Sequence, residues 1–114
     1  MEILRFDVSR AERITEYKSR LAAALKVADG EGEAHAYVVY LEPGGEIGSH
    51  AAGFGQLFFA VAGSGWVAGG DGERMLLGEG DAAFIRRGET HSKGSETGMT
   101  AFMVQVHDFE PGSA

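Results

Sequence analysis

The chain has 114 residues, no cysteine and a formal net charge of -7. The length fits one domain, the missing thiols exclude disulfides, thiolate metal sites and cysteine nucleophiles, and the acidic balance argues against nucleic acid or anionic membranes as partners. No apolar run approaches the roughly 20 residues of a membrane helix, and MEILRFDVSR does not read as a secretory leader, so a soluble, cytoplasmic domain is expected.

Along the chain, Ser9 and Glu12 form a capping-box pattern, and Ile14, Tyr17, Leu21 and Leu25 follow at helical spacing. The same region alternates as a strand through Leu21, Ala23, Leu25 and Val27. The reading taken is a helical turn near 10–17, a strand from about 20 to 28, and a turn at DGEGE (29–33). Short apolar runs come next: HAYVVYL, QLFFAVA, WVA, MLL, DAAFI and MTAFMVQV. Glycine punctuates them at PGG, GSG, GGDGE, GEG and RGE. Asp71-Gly72 in GGDGE suits a tight hairpin, because such turns require positive φ. The tail EPGSA is expected to be loose. Evenly spaced short strands with turn signals predict an all-β sandwich or barrel. The domain spans 1–114, with a core over about 20–108 and a short N-terminal extension.

Strand parity divides LFFAVA into two faces. If Gln56 points inward, so do Phe58 and Ala60, while Leu57, Phe59 and Val61 point outward. Both sets are apolar. A second subunit covering the outer face is one way to bury them, which predicts a homodimer.

The segment PGGEIGSHAAGFGQ through Gly63, with GEGDAAFIRRGETHSKGS, resembles the two motifs of the cupin superfamily. In the first, Gly44 is followed after five residues by His50, Ala52 stands at the second His position, Gln56 at the Glu position, and Gly63 closes the pattern. In the second, Gly80 is followed by Arg86 at the Pro position, then Gly88, His91, and Ser95 at the Asn position. Sixteen residues separate the motifs, and the likeness covers positions 36 to 106. It implies a jelly-roll β-barrel with a pocket at one mouth. It also implies that His50, Gln56 and His91 occupy metal-ligand positions, for one divalent ion such as Mn, Fe, Ni or Zn.

The residues depart from that implication. Ala52 has no lone pair, and Gln56 offers an amide oxygen in place of a carboxylate. Two imidazoles and an amide leave a divalent charge uncompensated. Glu89, two residues before His91, would complete a two-His, one-carboxylate set if that segment were extended. The bland alternative puts Glu89 in a turn facing water, and His50 and His91 in a pocket without an ion. Tyr37, Phe58, Trp66, Glu89 and Met103 are candidate ligand-binding residues, with ordinary core packing as the alternative for the aromatic ones and Met103. Arg86 is a candidate anion contact at the rim. Two functions stay open: binding a small molecule, with or without a weak metal, or a metal-dependent enzyme of dioxygenase or isomerase type.

Overall fold

The structure is a computed structural model, described over residues 1–112. Eleven strands run in chain order: β1 (Glu2–Arg5), β2 (Glu12–Arg13), β3 (Ala23–Ala24), β4 (Ala28–Leu41), β5 (Glu46–Ala51), β6 (Gly55–Gly63), β7 (Gly65–Gly69), β8 (Arg74–Leu77), β9 (Asp81–Ile85), β10 (Thr90–Gly94) and β11 (Met99–Pro111). One sheet has the order β1-β9-β6-β11-β4 and a second has β5-β10-β7-β8. The two sheets pack face to face around Phe58, Ala60, Ala83, Ile85 and Ala101 from the first and Val67 and Leu77 from the second. The all-β expectation holds. Neither sheet closes on itself, so the hydrogen bonding is that of a two-sheet sandwich.

Parity along β6 is as expected: Gln56, Phe58 and Ala60 are buried between the sheets, while Leu57 and Phe59 are half-buried and Val61 is exposed. GGDGE makes the β7–β8 hairpin. Gly72 sits at φ +76° and its N–H donates to the Gly69 carbonyl at 3.0 Å.

The N-terminal expectations need correction. The helical turn and long strand are replaced by two 3-10 turns, Val8–Arg10 and Glu16–Lys18, and a separate two-stranded ribbon of β2 and β3. The cap is Asp7, whose side chain accepts from the Ser9 N–H at 2.9 Å, so the Ser9–Glu12 box does not form. The extension is also no appendage. β1 pairs along β9 as an edge strand, and Phe6 stacks on Phe59 at 5.3 Å between centroids. DGEGE is not a turn but the start of the 14-residue β4, paired to the end of β11. Its glycines serve close packing: a Cβ on Gly30 would lie 2.7 Å from Val106 Cγ1. The start of the expected loose tail is tied down, since Gly112 N–H donates to the Val27 carbonyl at 2.7 Å. Residues 113–114 lie outside the described residues.

Candidate functional site

The PGG turn sets the start of β5. Gly44 N–H donates to the Ser95 carbonyl at 2.9 Å and Ser95 N–H returns to the Gly45 carbonyl at 3.0 Å, locking β5 beside β10. In that register His50 stands directly opposite His91. Their ring centroids are 4.5 Å apart. The two imidazoles that the sequence places 41 positions apart are therefore cross-strand neighbours. His50 is exposed, and its Nδ1–H donates to the Gly48 carbonyl at 2.7 Å, which leaves Nε2 as its lone-pair nitrogen. His91 is only 1% exposed, and neither ring nitrogen has a hydrogen-bond partner.

Lys93 is the residue the motif comparison passes over. It lies two positions after His91 on β10, so both side chains point between the sheets. Lys93 is 1% exposed. Its ammonium donates to Gln56 Oε1 at 2.6 Å and sits 4.8 Å from the centre of the Phe58 ring. Gln56, 2% exposed, comes from the opposite sheet, so this hydrogen bond spans the sandwich. The signal for Lys93 was the parity of HSK, which places the first and third residues on one face.

Burial acts on both cationic groups. It lowers the Lys93 pKa from 10.5 to about 8. It also lowers His91 from 6.5 to about 4, with the charges of Lys93 and His50 adding to the effect and Glu89 opposing it. Near neutral pH the site thus holds an ammonium beside a neutral, unpartnered imidazole.

The other expected residues divide. Phe58 and Met103 share the inner face with Gln56, and Tyr37 follows Met103 in the same row, at the exposed edge of the sheet. Trp66 does not join them. It pairs opposite Gly94 on the other face of its sheet and carries the Arg74 guanidinium 3.8 Å from its ring centre. Its neighbour Val67, on the inner face, packs into the core instead. Glu89 sits in the turn before β10 rather than on the strand. Its carboxylate accepts from the N-terminal ammonium of Met1 at 2.6 Å and from the Arg86 N–H at 2.8 Å. Burial pushes its pKa up, but those hydrogen bonds and charges outweigh burial and hold it below the usual range. Arg86 is committed to Glu110 at 3.2 Å and Glu2 at 3.7 Å. Ala52 packs into the core, with its backbone bonded to Gly88 and Glu89. Ser95, at the Asn position, donates to the Ser64 carbonyl and accepts from the Gly98 N–H, a purely structural use. His35 lies within β4, partly exposed and beside Glu33, and His107 lies within β11, exposed and beside Arg87 and Asp108.

The residues do not fit a resident divalent ion. Among the described residues no three His, Cys, Asp or Glu converge on one point. The Gln56 oxygen is taken by an ammonium, and Glu89 is turned to the N-terminus. A second cation beside Lys93 would meet repulsion in a medium that screens it poorly. An open groove of about 690 Å³ runs along Arg10, Glu12, Arg13 and Lys26. It mixes both charges at the surface and gathers no buried polar group, in contrast to the buried Gln56, His91 and Lys93.

The model of the cupin domain family matches residues 37–107. Among solved structures, an uncharacterised conserved protein with a double-stranded β-helix domain from Klebsiella pneumoniae is 21% identical, covers 96% of each chain and superposes with a TM-score of 0.61. An RmlC-like cupin from Shewanella frigidimarina is 25% identical over 66% of this chain and 67% of its own, with a TM-score of 0.61. A cupin-like protein from Thermotoga maritima is 20% identical over 71% of this chain and 65% of its own, with a TM-score of 0.62. Comparison with curated proteins finds no significant match. The family match takes in both glycine-and-histidine motifs and most of the strands that form the two facing sheets, so the chain belongs to the cupin family.

Proposed function

We propose that this cupin binds a small molecule between its two sheets, at His50, Gln56, His91 and Lys93, without a resident metal. The observation that carries the reading is His91. A buried polar group without a partner costs about 1–3 kcal/mol, and His91 leaves two such atoms beside an exposed imidazole that marks a way in. A bound molecule with a donor and an acceptor would satisfy both. Phe58 and Met103 supply the apolar wall that such sites use to hold a ligand body. A metal-dependent dioxygenase or isomerase would need an ion that this donor set does not hold, so binding is the better-supported function.

The test is thermal stabilisation by a panel of small acids, sugars and aromatic metabolites, run on the wild type and on His50→Ala, with metal content measured by elemental mass spectrometry. Selective loss of stabilisation in His50→Ala, with no retained metal after loading and dialysis, is expected. Equal shifts in both proteins would place binding elsewhere. Stoichiometric metal that disappears in His91→Ala would overturn the metal-free assignment.

A further inference from the structure

The interior holds a positive charge with no negative partner among the described residues. The Lys93 side chain is 99% removed from solvent by its 1% exposure, and its recorded hydrogen bond goes to a neutral amide. Buried charges are ordinarily paired, because desolvation of an isolated ion costs several kcal/mol. Among the described residues, the carboxylates do not supply the pair. Glu89, four residues before Lys93, is saturated by the Met1 ammonium and the Arg86 N–H, and Glu96, three residues after it, is exposed. Among the described residues, Lys26 is the lysine that does reach a carboxylate, at Asp29 on the surface. The arginines near this end of the sandwich are occupied as well, Arg86 by Glu110 and Arg87 by Asp108. An ammonium with N–H groups to spare therefore sits beside the two orphaned nitrogens of His91.

We propose that the ligand is a small carboxylate anion, its oxygens accepting from the Lys93 ammonium and from the one N–H of the neutral His91 imidazole, so that Lys93 provides the fixed positive charge at this site. The assignment rests on the small-molecule reading above and narrows it to a chemical class. Gln56 then has a defined task. By holding one Lys93 N–H across the sandwich it aims the ammonium, as a neutral acceptor that leaves the charge free for the ligand. A glutamate at position 56 would neutralise Lys93 and remove the reason to bind an anion. The acidic net charge of -7 disfavours large polyanions at the surface, which leaves small ligands as the class that can reach Lys93.

The experiment follows the His50 and His91 ring resonances by NMR near neutral pH during titration with sodium acetate, at ionic strength held constant with sodium chloride. Acetamide, of the same shape and neutral, is the control, and Lys93→Met and Gln56→Glu are the variants. Acetate should shift both imidazoles saturably in the wild type. Loss of one charge-assisted hydrogen bond corresponds to about tenfold or more in affinity, so binding to Lys93→Met should weaken by at least about that factor, and to Gln56→Glu similarly. Acetamide should bind at least about tenfold more weakly than acetate. Equal binding of acetate and acetamide, or undiminished acetate binding by Lys93→Met, would overturn the anion assignment while leaving the pocket in place. No saturable shift of either imidazole with either probe would overturn the anion assignment, and the pocket reading would then fall separately if the wider panel also leaves both rings unmoved.

Discussion

Replacing Lys93 with methionine keeps the length of the side chain and removes its charge. The pKa of Lys93 falls from 10.5 to about 8 on folding. At about 1.4 kcal/mol per pH unit, the buried charge therefore costs roughly 3 kcal/mol. The sign follows from proton binding. The unfolded chain keeps the lysine proton up to about 10.5, whereas the folded chain gives it up at about 8. Between those values the unfolded state binds more protons, so wild-type stability rises with pH across the window. Below about 8 both states are charged and the full cost is present. Lys93→Met lacks this dependence. It leaves Gln56 Oε1 buried without its donor, a cost of about 1–3 kcal/mol that does not vary with pH. Near neutral pH the variant should match the wild type or exceed it by up to about 2 kcal/mol. By about pH 10.5 it should be the less stable protein, a swing of roughly 3 kcal/mol in the difference. Urea unfolding of both proteins at a series of pH values measures it, and tyrosine and surface-lysine titrations cancel in the comparison. Parallel stability curves for the two proteins would show that Lys93 is not a desolvated ammonium, and the reasoning would fail.

The other predictions concern separate parts of the molecule. The unfolded chain protonates His91 at about 6.5 and the folded chain only at about 4, so wild-type stability should fall by roughly 3 kcal/mol as pH drops across that window; His91→Leu should remove that component, and indistinguishable acid profiles would refute it. Gly30→Ala places a methyl 2.7 Å from Val106 Cγ1 and should destabilise by about 1–3 kcal/mol in chemical denaturation, whereas an unchanged midpoint would mean β4 and β11 separate easily there. Val38, Tyr40, Val61 and Phe102 are exposed on one sheet; the expected homodimer should use this surface, so Phe102→Glu should shift light scattering from dimer toward monomer, and a wild-type monomer at micromolar concentration would end the expectation.

Much of the fold is readable in the residues themselves. The period-two pattern of LFFAVA assigns Gln56, Phe58 and Ala60 to the interior, since a strand must alternate its faces. Gly72 marks its hairpin because few other residues tolerate the positive φ it adopts there. The spacing of glycines and histidines identifies the family and picks out His50 and His91. Local sequence was least informative where pairing at long range overrides it. Nothing within MEILRF announces an edge strand, because its partner β9 lies some 76 residues away. The glycines of DGEGE look like a turn and instead permit close approach to β11.

The site divides in the same way. The residue types alone show that Ala52 cannot ligate and that Gln56 has lost a charge. Only the register of β5 on β10 brings His50 opposite His91, and only the packing of the two sheets sets the Lys93 ammonium on the Gln56 oxygen. Whether Glu89 joined the site depended on the turn before β10, which directs its carboxylate to the Met1 ammonium. Side-chain identity and strand parity are local properties, so the sequence carries them. Which charges meet depends on register and on sheet-to-sheet contact between segments far apart in the chain, and the tertiary structure alone decides that.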